Sequence, residues 1–378
     1  MRALAILGND ARRSIAGAAT LRLEGIDVHV GFVDIAEAAF DPTSPASAGM
    51  VKLQIRGFAC NYRDRALILA MAVSPRSNGF YVIGSDFVAT VLEVGPGVDD
   101  LRPGDRVIPN DCWLDSAWPG AATGLRQGIP DNHGSREIQV LPRAKLLRIP
   151  GPMADEVAAG FSICAQTAYS MVRRLALRPD DRVLLTAPHS STSLFALSRL
   201  SALGVEVHGL ASNDRNAEEL ASLGLKRRFV MPPAEAAFLP PDHPLVDEAR
   251  RIGGYRAIID PFCDIYLPWV LPLLGAEGKY ITCGLQDQHT RITGATGREN
   301  PGLNPAMLLG TLIVGNLSII GNCLGTTADL QAALDDHAAG RFPVVVDQVF
   351  HANQPAAFLA RSFLDRGRFG RTCCMYAD

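Results

Sequence analysis

Hydrophobic and polar positions follow two different rhythms along the chain. Val51-Lys52-Leu53-Gln54-Ile55 alternates residue by residue, the pattern of a strand with one covered face. Short apolar runs at Ala3 to Leu7 and Val28 to Val33 precede it, and Phe87 to Val94 follows. Gly95-Pro96-Gly97 and Arg102-Pro103-Gly104-Asp105 are tight turns about one strand length apart, the second leading into Arg106 to Pro109. Closely spaced strands joined by Gly/Pro turns predict a small barrel. A helix-compatible stretch, Ala66 to Val73, interrupts it, and Ile138 to Leu141 with Lys145 to Ile149 complete it.

The rhythm changes between Asp181 and Ala211. Val183-Leu184-Leu185 is apolar without alternation, as expected of a parallel strand covered on both faces. Leu194, Leu197, Leu200 and Leu203 then recur at helical spacing, Gly204 stops the helix, and Val205 and Val207 resume strand character. Strand, turn, helix and strand in that order make half of a dinucleotide-binding fold. Leu223 to Val230, Ala257 to Phe262 and Lys279 to Gly284 predict further strands, with a helix over Leu267 to Leu274. The β-branched run Leu312 to Ile320 reads as an edge strand, and a helix at Ala328 to Ala339 and a strand at Val344 to Val349 follow. Pro150-Gly151-Pro152 reads as a hinge. A chain of 378 residues exceeds one ordinary core, and two domains are expected: residues 1–150 with 327–378, and residues 151–326.

Hydrophobic residues at 48% and charged ones at 20% fit a soluble globular protein, and a formal net charge of -3 offers no footprint for nucleic acid or an anionic membrane. The N-terminal residues enter a strand-like stretch rather than a signal sequence, so a cytoplasmic location is expected. Eight cysteines lack the spacing of a metal site or of a secreted disulfide framework, which favours free thiols in a reducing compartment.

The turn at Ala187-Pro188-His189-Ser190-Ser191-Thr192-Ser193 holds the candidate chemistry. It lacks the G-x-G-x-x-G glycines that let a backbone approach a diphosphate. Pro188 has no N–H to donate, and Ser193 puts a Cβ where the last glycine has none. Ser190, Ser191, Thr192 and Ser193 nonetheless bring hydroxyls to a helix N-terminus, whose dipole favours an anion. From the residues alone a nucleotide site and a bare serine-rich helix cap both remain open. The strand end beyond the turn carries no acid at the place that would bind the ribose hydroxyls of NAD; Ser212 and Arg215 lie nearby, which favours a 2′-phosphate and NADPH over NADH.

CNYRD at 60–64, IGSDFVATVLEVGPGVDDLRPGDRV at 83–107, AQTAYSMV at 165–172 and the strand-turn-helix together resemble the medium-chain dehydrogenase/reductase superfamily, most of all its zinc-free quinone oxidoreductase and enoyl reductase branches. The resemblance implies an α/β protein with a GroES-like β-barrel catalytic domain and a Rossmann domain with a doubly wound parallel sheet. It puts Asn61 and Tyr62 in the cleft, Tyr62 as proton donor or as a ring packed under the nicotinamide. It sets Thr167 and the strand-end loops of Phe262, Cys283, Gly284 and Asn322 beside the cofactor, and it implies a homodimer paired through the edge strand. Asn61 and Gly84-Ser85-Asp86 stand where zinc relatives have their ligands, and the loop from Pro109 to Arg136 offers only Cys112 where a structural zinc needs four cysteines. No metal is expected. That long loop also carries Asp115, Asp131, His133 and two of the three tryptophans, either as a wall of the site or as a surface excursion; His133 is expected to be a hydrogen-bonded loop residue.

The expected function is NADPH-dependent reduction of an activated C=C bond or a quinone in a small-molecule substrate, without metal. The alternative is a dehydrogenase-fold protein that has lost hydride transfer and serves as a binding or scaffold partner in a biosynthetic complex. Loss of the turn glycines motivates that alternative. Some enoyl reductases carry a tyrosine several residues beyond the aspartate matching Asp64, and Arg65 to Val73 has none.

Overall fold

The computed structural model describes residues 1–73, 79–111, 132–232, 238–286 and 304–376. The first part of the chain runs β1 (Arg2–Leu7), α1 (Asn9–Ser14), β2 (Ala19–Leu23), β3 (Ile26–Asp34), β4 (Met50–Ala59), α2 (Tyr62–Val73) and β5 (Phe80–Val82). It continues through β6 (Asp86–Val94), β7 (Arg106–Pro109), β8 (Ile138–Pro142) and β9 (Leu146–Arg148). Next come α3 (Asp155–Ala158), α4 (Ser162–Leu175), β10 (Arg182–Thr186), α5 (Ser191–Ala202), β11 (Glu206–Ala211), α6 (Ala217–Ser222) and β12 (Leu225–Val230). Then α7 (Pro244–Ile252), β13 (Tyr255–Asp260), α8 (Cys263–Val270), β14 (Leu274–Thr282), α9 (Pro305–Gly315) and β15 (Ser318–Gly321) follow. The chain closes with α10 (Thr327–Ala338), β16 (Val346–His351), α11 (Pro355–Phe363) and β17 (Arg371–Met375).

The described residues form three sheets. A small antiparallel sheet has the order β2-β3-β1-β5, and a larger, mixed sheet has the order β16-β17-β4-β6-β7-β9 with β8 also on β4, only β16 and β17 running parallel. The third is parallel throughout, β12-β11-β10-β13-β14-β15. Its order reverses between β10 and β13, and ligands of open α/β sheets bind outside the strand ends at such a switch point. The last strand, β17, pairs with β4, so the chain end returns to the first sheet system.

Burial follows the sequence rhythm. Leu53 and Ile55 are buried while Gln54 is exposed, and Val183, Leu184 and Leu185 are all buried. Leu53, Ile55, Phe58 and Phe87 pack with Phe358 in the barrel core. A second apolar cluster is continuous from Val88, Ile108 and Cys373 through Phe161 and Leu197 to Val183, so the barrel, α4, α5 and the inner face of the parallel sheet share one core. Among the described residues every cysteine is a free thiol, and no helix is long and apolar enough to cross a membrane.

The run Leu312 to Ile320 differs from its reading as a strand. Most of it belongs to α9, and only Ser318–Gly321 is extended. Asn304 caps the helix by accepting from the N–H groups of Ala306 and Met307, Pro305 fills its first turn, and Asn316 ends it at a φ of 49°. Local capping thus outweighs the β-branched residues. The helix at Pro355–Phe363 had no signal strong enough to be expected. Cys112, Trp113, Asp115, Trp118 and Asp131 lie outside the described residues; His133 hydrogen-bonds the carbonyl of Val82 at 2.9 Å and meets the ring of Tyr81 edge-on.

Gly95 ties the β6 turn to the start of β4: its N–H donates to Met50, and a Cβ there would stand 1.8 Å from the carbonyl oxygen of Ser47. Gly95→Ala is expected to lower unfolding free energy by at least about 2 kcal/mol, because backbone must move to admit the methyl. Urea denaturation followed by circular dichroism measures it.

Candidate functional site

A cavity of about 310 Å³ opens where the ends of the parallel strands face the start of α2. One wall is the turn between β10 and α5. Ala187 holds a left-handed φ of 44° where a glycine would be unstrained. Its N–H donates to the Leu210 carbonyl, and its own carbonyl accepts from the Ser190 N–H. Ser190 caps α5 by accepting from the Ser193 N–H at 3.3 Å, and its hydroxyl donates to the Ser193 hydroxyl at 3.0 Å. The Ser193 hydroxyl in turn donates to the Thr186 carbonyl at 2.9 Å. The side chain that replaces the last glycine therefore pins the helix to the strand. Ser191 and Thr192 stand in the first turn of α5, where N–H groups have no intrahelical acceptor.

Arg368 reaches this helix start, donating to the Ser191 hydroxyl at 3.3 Å and to the Gly370 carbonyl at 3.2 Å. Burial and the neighbouring Arg371 charge hold its pKa below the usual arginine value. His189 lies on the other side of the turn. Its ring meets Phe369 edge-on and hydrogen-bonds the carbonyl of Arg215 at 2.9 Å, and burial pushes its pKa down.

The opposite wall is a buried polar cluster. The Arg371 guanidinium donates to Asn61 Oδ1 at 2.8 Å and to Asp86 Oδ2 at 3.0 Å. The Asn61 amide group donates to the Ser85 hydroxyl at 2.8 Å and to Asp86 at 2.9 Å. The Ser85 hydroxyl donates to Asp64, and the Ile163 N–H reaches the other oxygen of Asp86. Burial pushes the Asp86 carboxyl up while Arg371 pulls it down. Burial opposes the charge on Arg371, but Cys164 and Asp86 outweigh it. Gly160 makes room, since a Cβ there would stand 2.7 Å from Arg371 Nε.

A second buried pair supports this wall. Lys145 donates to Asn132 Oδ1 at 3.0 Å, and Asn132 donates to Asp111 at 2.9 Å and to the Ser85 carbonyl at 2.6 Å. Three buried carboxylates, Asp64, Asp86 and Asp111, thus face three buried cations, Arg63, Lys145 and Arg371. Among the described residues Arg368 lies beyond that balance, as does the buried Arg65, which pairs with Glu24. The nearby Asp347 is engaged by Arg361 through two contacts of 2.7 Å.

Tyr62 closes the cavity between these walls. Its ring lies 4.9 Å from that of Phe262 and 6.5 Å from that of Phe363, edge-on to both. Of the residues singled out in the sequence, Asn61, Tyr62, Thr167, Ser190, Ser191, Thr192, Phe262, Cys283, Gly284 and Asn322 line the cavity. Ser193 is buried in the helix cap, and Ser212 and Arg215 are exposed beyond β11, away from the lining. Arg368 and Arg371 were missed. No local pattern marks them, because Arg371 meets Asn61 across 310 positions of sequence.

Residues 47–151 match the alcohol dehydrogenase GroES-like domain. An acryloyl-coenzyme A reductase from Metallosphaera sedula is 26% identical over 326 residues, covering 83% of this chain and 88% of that protein. The polyketide synthase GfsB of Streptomyces halstedii is 28% identical over 263 residues, 69% of this chain but 4% of the synthase. Together these likenesses lie with the medium-chain dehydrogenase/reductase superfamily and its enoyl-reductase-like branch. Solved structures agree on the fold. An NAD-dependent alcohol dehydrogenase superposes with a TM-score of 0.76 at 22% identity over 100% of both chains. The crotonyl-CoA carboxylase/reductase AntE in complex with NADP gives 0.74 at 16% identity, over 99% of this chain and 94% of that one.

Zinc and cobalt occur in a solved relative, a thermostable alcohol dehydrogenase from Pyrobaculum aerophilum. In this chain the Asn61 carboxamide, the Ser85 hydroxyl and the Asp86 carboxylate are joined by hydrogen bonds beside the Arg371 guanidinium. Among the described residues no group of three or more His, Cys, Asp or Glu side chains is arranged to hold a metal ion. Asn61, Ser85 and Asp86 do not fit a catalytic metal, which wants three Cys, His or carboxylate ligands.

Arg371→Met leaves Asp86 buried without its cation and is expected to cost about 3 kcal/mol of stability near neutral pH. The Asp86 carboxyl is raised when folded, so the folded state binds a proton that the unfolded carboxylate releases. The deficit of the variant is full above the folded pKa and shrinks as pH falls through it. Denaturation curves of both proteins at neutral and mildly acidic pH check the sign.

Proposed function

We propose that the protein is an NADPH-dependent oxidoreductase that reduces the activated C=C bond of an enoyl-type substrate without a metal. The observation that carries this reading is the charge arrangement of the cavity: a helix N-terminus beside Arg368, which has no ion pair among the described residues, on one side, and a neutralised polar wall with Tyr62 on the other. The first suits a diphosphate. The acryloyl-coenzyme A reductase and the NADP complex of AntE support the enoyl substrate and the cofactor.

Ser191, Thr192 and Arg368 would hold the diphosphate, and Thr167, Phe262, Cys283, Gly284 and Asn322 would flank the nicotinamide. The bound cofactor supplies hydride. Both amide hydrogens of Asn61 are committed to Ser85 and Asp86, and its oxygen accepts from Arg371. Asn61 therefore positions the wall and has no donor left for substrate. Tyr62 is the group that gives a hydrogen bond to the substrate carbonyl as it becomes enolate-like. Its ring packs against Phe262, Phe363 and the guanidinium of Arg65 at 5.5 Å, contacts that would hold the hydroxyl in place for the substrate. Preference for NADPH is supported by the loop after β11. Its acidic side chain, Asp214, is held by Arg228 at 2.8 Å, while Ser212 and Arg215 are exposed to meet a 2′-phosphate.

A saturating NADPH concentration, a hundredfold above its dissociation constant, is expected to stabilise the protein by about 2.7 kcal/mol, with a smaller shift for NADH at equal concentration. Tyr62→Phe is expected to lower kcat with an enoyl thioester about a hundredfold and to leave NADPH binding unchanged. Absence of any shift with either nucleotide refutes the reading and favours a scaffold role.

A homodimer is part of the same proposal. Among the described residues the edge strand β15 pairs with β14 alone. Beside it α9 exposes Met307, Leu309, Ile313 and Val314, the last at 88%, an apolar face suited to a second copy. Light scattering is expected to give twice the 40.5 kDa chain mass, and Val314→Glu with Ile313→Glu to give one.

A further inference from the structure

We infer that Asp260 is a positioning residue that joins the turn between β10 and α5 to the loops after β13 and β14 through a single buried carboxylate and so sets the affinity for the cofactor. The inference rests on the cofactor reading above. Asp260 is the last residue of β13 and is fully buried at the point where the parallel sheet reverses its order. One oxygen accepts from the hydroxyl of Thr186, the last residue of β10, at 2.7 Å and from the Phe262 N–H at 2.9 Å. The other accepts from the Tyr280 hydroxyl of β14 at 2.5 Å. Three neighbouring strand ends therefore converge on one group.

The hydrogen bonds continue outward in both directions. Thr186 gives its carbonyl to the Ser193 hydroxyl, which accepts from the Ser190 hydroxyl at the start of α5. On the other side Pro261 has no N–H, so Phe262 is the first residue of the loop able to cap the carboxylate. The next residue, Cys263, donates its N–H to the Gly284 carbonyl, and this holds the loop after β14 against the loop after β13. Ser190, Phe262 and Gly284 all line the cavity.

The chemistry of the position argues for more than packing. Burial pushes the Asp260 carboxyl up to about 6, and the Asp264 charge works in the same direction, against the hydrogen bonds from Thr186, Tyr280 and Phe262. An amide at this place would avoid burying a charge, but its NH₂ would face the Tyr280 hydroxyl in place of an acceptor. Only an acceptor-only carboxylate takes all three donors in their present orientations.

The test compares wild type with Asp260→Asn, Thr186→Val and Thr186→Ser. NADP⁺ titration calorimetry and peptide-level hydrogen exchange of the ligand-free proteins are the two readouts. Asp260→Asn and Thr186→Val are each expected to weaken NADP⁺ binding about tenfold, the loss of one hydrogen bond's ordering. Both are expected to speed exchange over residues 186–193 and 261–263, and Thr186→Ser to restore wild-type values for both readouts. The double variant is expected to be little weaker than either single one, because the two changes break the same connection. Wild-type affinity in Asp260→Asn and Thr186→Val overturns the inference. If wild type itself binds no NADP⁺, the cofactor reading fails separately; the exchange comparison then decides whether Asp260 joins the β10–α5 turn to the loops after β13 and β14, and unchanged exchange overturns that too.

Discussion

A guanidinium buried between two halves of the molecule is the constraint on which the site depends. Arg371 begins the last strand, yet its partners are Asn61 at the end of β4 and Asp86 at the start of β6, and Asp86 is fixed in turn by the N–H of Ile163 in α4. Barrel, chain end and first Rossmann helix are thereby locked at one point. Removing a charge from such a set strands its partner in low dielectric, so the cavity wall cannot be altered one residue at a time. Arg368 lies on the opposite side of the cavity, at the start of α5.

In the proposed function the turn between β10 and α5 would serve a phosphate by means other than glycine. Glycines would supply free φ and close packing. Here Ala187 accepts the left-handed conformation, and Ser193 pins helix to strand with its hydroxyl. The strain is local and the compensation is a short hydrogen-bond chain that reaches Asp260. A site built this way depends on its hydrogen bonds where a glycine-rich turn depends on absence of side chains.

How much of this was legible in the sequence follows from the range of the interactions. The alternation at Val51 to Ile55, the flat apolar run at Val183 to Leu185 and the leucines of α5 are local signals, and each reported its element correctly. The run at Leu312 to Ile320 misled because Asn304 and Pro305, outside it, start a helix that carries its β-branched residues along. Residues that line the cavity from the start of α2, α4 and the strand ends were named from the family resemblance. Arg368 and Arg371 were not, since a surface arginine and a buried one look alike until strand pairing brings the chain end to β4.

Hydride transfer to an enoyl substrate is the central claim. The direct measurement is mass spectrometry of the product formed from an α,β-unsaturated thioester and NADPH deuterated at the transferring position of nicotinamide C4. The account predicts one deuterium on the carbon β to the carbonyl, with NADPH consumed in equal amount. Product without deuterium, or deuterium on a carbonyl carbon to give an alcohol, would contradict it.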